Sequence, residues 1–119
     1  MAAPNIVNVV TITGKAGAVS LTTTAATIAL VNTAASGKVF KVNSLFAANV
    51  HASSAASISI SLSGSSITLI ASAISVPANS TLVVITKEEP IYLEEAIGIL
   101  AQANIANGIV VTTSYEEIS

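Results

Sequence analysis

The chain has 119 residues, of which only 8% are charged, and it carries a formal net charge of −2. Soluble globular proteins usually have about 25% charged residues, so a free monomer of this chain would show little charged surface. The chain has no arginine and no clustered lysines, so it lacks the electrostatic basis for nucleic-acid binding. The absence of cysteine excludes disulfides and thiolate-bound metals. The length suits one domain, which we predict to span residues 1–119.

Segments rich in β-branched residues predict about eight strands and almost no helix. In chain order, the predicted strands span residues 6–13, 24–32, 38–46, 57–62, 66–72, 80–86, 97–103 and 109–115. Turn residues separate them at TGKAG, AASG, LSGSS, VPANS and NIANG. In SISISL (57–62), apolar and serine residues alternate completely, which is typical of a strand with one buried face. LVVI (82–85) is apolar on both faces, which favours a central strand or one that is covered on both sides.

The spacing between turn segments, about 8 to 12 residues, favours a sandwich or a barrel. Alanine-rich pieces such as TTTAATIAL have Thr, Ile, Asn and Gly neighbours and lack the apolar periodicity of a helix. We therefore predict an all-β fold, a single antiparallel β-sandwich that is either jelly-roll-like or immunoglobulin-like. The predicted core consists of large apolar residues on the buried strand faces: Phe40, Val42, Phe46, Ile58, Ile60, Leu62, Val84 and Ile99.

Targeting and membrane segments are not expected. MAAPNIVNVV lacks a basic n-region, and Asn5 and Asn8 interrupt its apolar run. Residues 42–86 contain no Lys or Glu, but Ser, Thr, Asn or Pro77 interrupts them every few positions. They therefore cannot supply the roughly 18 consecutive apolar residues that a membrane helix needs.

His51, the single histidine, follows a predicted strand and is the obvious candidate for catalysis. A nucleophilic triad needs such a base beside a serine or cysteine, together with an orienting carboxylate, but no GxSxG-type elbow is present. One histidine without cysteine is also a poor basis for a zinc site. We expect His51 to be a surface loop residue, and the chain to have no catalytic residue, cofactor or metal. Asn79-Ser80-Thr81 matches the N-glycosylation pattern, but a polar turn is the simpler interpretation.

All six acidic residues are glutamates, and they form three adjacent pairs: Glu88–Glu89, Glu94–Glu95 and Glu116–Glu117. Adjacent side chains of a strand point to opposite faces, so a glycosidase-like pair of carboxylates in one cleft is difficult to build. Calcium would suit oxygen ligands, but the chain has no Asp-rich loop. Solvated charges that prevent unwanted strand pairing are the simplest interpretation.

KEEPIYLEE (87–95) holds five of the ten charged side chains. The first 86 residues carry a charge of +3 and the last 33 carry −5, so positive and negative charge are separated along the sequence. Because Pro90 cannot donate a ladder hydrogen bond, we predict that KEEP is a connection and IYLEE a short edge segment. The acidic pairs would mark one end of the sandwich, with a candidate assembly interface made of Glu88, Glu89, Tyr92, Glu94, Glu95, Lys38 and Lys41. There they would orient the chain against lysines of a second copy or a basic patch of another protein; the alternative is a solvated rim.

Several stretches of the chain resemble small virion structural proteins of tailed phages, especially phages of aquatic and cyanobacterial hosts. In the C-terminal half these are ISVPANSTLVVITKEEPIYLEE, the glycine-bearing strand pair that follows, and VVTTSYEEIS. APNIVNVVTITGK and GKVFKVNSLFAANV are similar to the same group, so the resemblance covers nearly the whole chain. It implies a non-enzymatic β-sandwich carried on the particle, and none of these stretches is a catalytic motif.

The charge deficit and the resemblance together lead us to expect a capsid decoration or cement protein, located in the virion after assembly in the bacterial cytoplasm. The expected partners are further copies of the chain, with a trimer as one candidate, and the major capsid protein or another virion protein. Nucleic acid and membrane are not expected partners. The alternatives are a neck, tail or fibre-associated structural protein, or a module that binds a host surface or a glycan.

Overall fold

Nine β-strands make up the fold of the residues that the structure describes. This structure is a computed structural model, and it describes residues 11–64, 66–86, 88 and 90–119. The strands are β1 (Ile12–Leu21), β2 (Thr27–Val31), β3 (Val39–Asn49), β4 (Ala56–Ser63), β5 (Thr68–Val76), β6 (Thr81–Ile85), β7 (Ile91–Leu93), β8 (Gly98–Ala103) and β9 (Ile109–Ile118). Within this part of the chain, no helix has the length and apolar content that crossing a bilayer requires.

The strands form two antiparallel sheets that pack face to face. Sheet A has the order β1-β9-β3-β6, with β7 also paired to β3, and sheet B has the order β2-β8-β4-β5. This confirms the predicted antiparallel β-sandwich. With β7 set aside, the two four-stranded sheets have the order that two successive Greek keys produce in a jelly roll. In an immunoglobulin domain the first two strands are neighbours in one sheet, whereas here β1 and β2 lie in different sheets.

The inward faces of both sheets enclose one hydrophobic cluster. Of the predicted core residues, Val42, Ile58, Ile60 and Ile99 are fully buried, and Phe40 is 7% exposed. Leu62 and Val84 are partly buried at the margin of the cluster. Seven of the eight predicted core residues therefore belong to the core or pack against it.

Phe46 is the exception, and the prediction that it lies in the core is wrong. The pairing of β3 with β9 shifts register between Val42 and Ser44, which marks a β-bulge. Because strand side chains alternate between faces, one extra residue reverses the alternation. Beyond the bulge, Leu45 and Ala47 are buried, and Phe46 points to the outer face of sheet A, where it is half-buried.

Two other predictions from local pattern are also wrong. TGKAG was predicted as a turn, but it lies inside β1, where Gly14 and Gly17 pair with Glu116 and Thr113 of β9. LVVI was predicted as a central or doubly covered strand, but β6 is at the edge of sheet A and Val83 is 49% exposed. Most of the predicted strand 6–13 lies outside the described residues.

Two buried asparagines hydrogen-bond to backbone oxygens of loops and strands at the ends of the sandwich. Asn32, just after β2, donates from Nδ2 to the backbone oxygens of Lys38 (2.8 Å) and Leu93 (2.9 Å). Asn49, at the end of β3, donates in the same way to the oxygens of Ser54 and Val76, both at 2.9 Å. Buried polar groups need partners to offset their desolvation, and each amide group meets this need with two carbonyls.

Candidate assembly surfaces

Charged side chains from distant parts of the sequence meet at one end of the sandwich. Lys15 lies on β1 and Lys38 just before β3, and each places its Nζ 3.1 Å from a carboxylate oxygen of Glu117 on β9. The strand register explains the meeting, since Glu117 is the pairing partner of Thr13 and of Phe40. The Glu117 side chain is only 13% exposed, so this carboxylate is more sheltered than an ordinary surface charge.

The surroundings of Glu117 act on its pKa in opposite directions. Partial burial is the largest single influence and raises the pKa, because it disfavours the charged form. Hydrogen bonds and Coulomb attraction from Lys38 and Lys15 together outweigh burial, so the pKa of Glu117 lies below its ordinary value. The carboxylate is therefore ionised at neutral pH and joins β1, β9 and the start of β3.

Glu94 and Glu95 lie beside this cluster, in the turn between β7 and β8. Glu95 Oε2 accepts a hydrogen bond of 2.9 Å from the backbone N–H of Gly37. Gly37 has a φ of 70°, a conformation that favours glycine. Glu95 Oε1 is buried and has no hydrogen-bond partner among the described residues, whereas Glu94 is exposed. The two glutamates of this pair therefore have different surroundings.

The other predicted interface residues occupy two places. Lys41 on β3 pairs in register with Tyr92 on β7 and with Glu116 on β9, and Tyr92 is 48% exposed. Glu88 is exposed in the connection between β6 and β7, and Glu89 lies outside the described residues. The structure therefore brings Lys38, Lys41, Tyr92, Glu94 and Glu95 to one end and places Glu88 along the adjoining edge.

In the folded structure, the lysines and glutamates are not segregated, although they are separated along the sequence. Lys38 was expected to face a second copy, but it is bound to Glu117 of its own chain. Sequence reasoning also missed Lys15 and Glu117 as members of the cluster. They lie about a hundred positions apart and meet only because β1 and β9 are neighbours, which no local pattern reveals. The charged side chains left for a partner at this end are mainly Lys41, Glu94 and Glu116.

The edge strand of sheet A is interrupted between β6 and β7, and a cleft lies beside the interruption. β6 and β7 both pair with β3, antiparallel to it, so they form one edge that is broken between Ile85 and Ile91. A connection was predicted at this point, and the predicted edge segment IYLEE is a strand only over Ile91–Leu93, since Glu94 and Glu95 lie outside it. Beside the break, between the edges of the two sheets, is a cleft of about 380 Å³, lined by Ile70, Val84, Ile85, Thr86, Pro90 and Ile91.

A second hollow lies on the outer face of sheet B and is polar. Its volume is about 250 Å³, and it is lined by Ser57, Ser59, Gln102, Ala103 and Asn104. Several of its polar groups are already engaged: Asn104 Oδ1 accepts from the Ser57 N–H, and Ser59 Oγ accepts from the Ala73 N–H. No aromatic side chain lines this hollow.

His51 lies in the exposed loop between β3 and β4, as predicted. Its Nδ1 accepts hydrogen bonds from the backbone N–H groups of Ser53 (3.3 Å) and Ser54 (3.2 Å). The imidazole therefore shapes its own loop. Among the described residues, no group of three or more His, Cys, Asp or Glu side chains could hold a metal ion.

In comparisons with known proteins, no family model, no curated protein and no solved structure matched the chain.

Proposed function

We propose that the chain is a non-enzymatic structural subunit of a phage virion, in the role of a capsid decoration or cement protein. The observation that carries the proposal is the distribution of charge and apolar surface. The ten charged residues leave residues 42–86 without a single charge, yet this uncharged part exposes large hydrophobic side chains, among them Ile67, Leu69 and Val83. Extended exposed apolar surface is typical of interaction sites.

The fold and the sequence resemblance support the same role. The jelly roll is an architecture that viral capsid proteins and lectins both use, so the fold alone does not decide between them. The resemblance to small virion proteins of tailed phages favours the structural role. In this role the chain would bind the major capsid protein or another virion protein through its uncharged surface, together with further copies of itself.

A glycan- or host-binding module on a neck, tail or fibre is the second candidate. The polar hollow on sheet B favours it, because it is lined by Ser57, Gln102 and Asn104. These neutral side chains can form hydrogen bonds with sugar hydroxyls. Two observations weigh against it. The hollow is smaller than the roughly 300 Å³ at which ligand pockets usually begin, and it has no aromatic platform. Of the two tyrosines, Tyr92 lies on the edge strand β7, and Tyr115 packs on Phe40 with ring centroids 5.2 Å apart.

The position of the chain on the particle tests the proposal. Cryo-electron microscopy of purified particles should show the two packed sheets of this sandwich on the capsid shell, with the uncharged surface against the capsid lattice. A position at the tail tip would favour the glycan- or host-binding alternative. Density for the chain on neither the shell nor the tail would contradict both.

The charged end gives a second test, which concerns orientation. Replacing Glu88, Glu89, Glu94 and Glu95 with glutamine should leave the fold intact and weaken particle binding at low salt, if the acidic end orients the chain against a basic patch. Wild-type binding should then weaken as salt is raised, because exposed charge pairs are screened. Undiminished binding by the quadruple variant at low salt would assign these residues to a solvated rim.

A further inference from the structure

β1 is an edge strand with very little side-chain burial. Of its ten residues only Leu21 is buried and Val19 half-buried, while residues 12–18 are all exposed. A strand of a sandwich usually buries every second side chain against the opposite sheet, but the first seven residues of β1 are exposed on both faces. The attachment of this strand to the sandwich therefore depends mainly on its backbone hydrogen bonds to β9.

The ladder between β1 and β9 is regular, but its residues gain little stability from it. It runs without a register shift from Ile12, opposite Ile118, to Leu21, opposite Ile109. β1 contains two glycines and two alanines, which are unfavourable in strands, and glycine loses the most conformational freedom when it is ordered. A backbone hydrogen bond replaces one to water, so its net contribution is small. We therefore expect β1 to be a segment of low local stability.

Two further features allow β1 to separate from the sandwich with little disruption. The loop that joins it to β2, residues 22–26, is exposed, and each hydrogen bond described for this loop involves a side chain. Glu117, which β1 binds through Lys15, also binds Lys38. Departure of β1 therefore leaves this carboxylate with one lysine partner.

We propose that β1 of one copy exchanges with β1 of a second copy, so that each strand pairs with β9 of the other chain. This exchange deepens the proposed structural role, on which it rests, because subunits held side by side on a particle have the high local concentration that exchange needs. It names the partner as a second copy of this chain and the surface as the edge of β9 that β1 covers.

The partner follows from the contacts that a departing β1 leaves open. These contacts are the unpaired edge of β9, one side of the Glu117 carboxylate, and the place of Leu21, which is 0% exposed in the hydrophobic core. β1 of a second copy restores all three, because it has the same side chains in the same register. Exchange of an identical element is for this reason a low-cost route to association between copies.

Hydrogen exchange of the purified chain tests whether β1 separates from β9. The hydrogen-bonded pairs at the ends of the two ladders show that odd-numbered amides of β9, such as Val111 and Thr113, donate to β1. Even-numbered amides, such as Val110 and Thr112, donate to β3 and are the control within the same strand. The odd-numbered amides should exchange at least about tenfold faster. Equal protection of the two sets would overturn the proposal.

Disulfide cross-linking between two different variants tests the exchange itself. Since the chain has no cysteine, Ala16→Cys and Ser114→Cys each introduce a single thiol. The two residues lie opposite each other in the ladder between β1 and β9. As a non-hydrogen-bonded pair, their Cα atoms are about 4.5 Å apart, within the range that a disulfide bridges. Mixing the two variants at high concentration, one of them isotope-labelled, and then oxidising them should give a disulfide between the two different chains, detected by mass spectrometry.

A mixture of Ala48→Cys with Thr81→Cys is the matched control. Ala48 and Thr81 are also a non-hydrogen-bonded pair, in the ladder between β3 and the edge strand β6 of the same sheet. Both of these strands are connected to others at each end, so they should not exchange. Equal amounts of mixed disulfide in the two mixtures would overturn the proposal.

A double variant shows that the substitutions leave β1 in place. Oxidised in dilute solution, a chain with both Ala16→Cys and Ser114→Cys should form the disulfide within itself, and failure to do so would contradict the pairing on which the exchange depends. The position of the chain on the particle is measured separately. Failure of the exchange is therefore distinguishable from failure of the proposed function.

Discussion

Replacing the two phenylalanines of β3 one at a time tests the bulge on which the core assignment depends. Phe40 is 7% exposed, and its ring packs against Tyr115, so Phe40→Ala removes a buried aromatic and should cost about 3 to 5 kcal/mol. Phe46 is half-buried on the outer face. Since full burial of such a side chain contributes about 1.5–3 kcal/mol, Phe46→Ala should cost about 1 kcal/mol.

Urea denaturation of the two variants at equal protein concentration measures this difference. Because the chain has no tryptophan, far-ultraviolet circular dichroism is the suitable signal. With a urea m-value of about 2 kcal/mol/M, the midpoint should fall by about 2 M for Phe40→Ala and by about 0.5 M for Phe46→Ala. Equal losses for the two variants would refute the reasoning, because they would place Phe46 in the core with Phe40 and remove the effect of the bulge.

Three further predictions concern single contacts. Asn49→Ala removes the buried amide that donates to the backbone oxygens of Ser54 and Val76 and should cost about 1 to 3 kcal/mol. Asn104→Ala, at an exposed position, should stay within about 0.5 kcal/mol in the same urea assay. Gly98→Ala would place a Cβ 2.9 Å from the Leu30 backbone oxygen and should cost about 1 to 3 kcal/mol; Gly14→Ala has open space and should show no such loss of thermal stability. Because the pKa of Glu117 is lowered in the folded chain, its ion pairs stabilise the fold at neutral pH. This contribution begins to be lost when the pH falls below the ordinary glutamate pKa of about 4.3. It is lost completely once the pH has fallen below the lowered pKa of the folded chain. Glu117→Gln should therefore be less stable than wild type at pH 7 and equal to it at the acid end of the titration, and a gap of the same size at both ends would contradict the role of the two lysines.

Much of the fold was predictable because its signals are local. The alternation in SISISL identifies β4 and its buried isoleucines, and the turn residues at VPANS and NIANG separate strands where the structure does. Pro90 correctly indicated the break in the edge of sheet A. These features follow from the chemistry of single residues and their nearest neighbours.

The features that sequence analysis missed depend on contacts between distant parts of the chain. The bulge near Ser44 reverses the faces of β3, and no local pattern indicates it, because Phe46 continues the apparent alternation from Phe40 and Val42. Gly14 and Gly17 suggested a turn, but pairing with β9 holds them in an extended strand. The same pairing brings Lys15 to Glu117 and so determines the composition of the charged end.

Quantitative mass spectrometry of density-gradient-purified phage particles tests the central claim most directly. If the chain is a capsid decoration or cement subunit, it should be present in intact particles at a copy number comparable to that of the major capsid protein. Absence of the chain from purified, infectious particles would contradict the account.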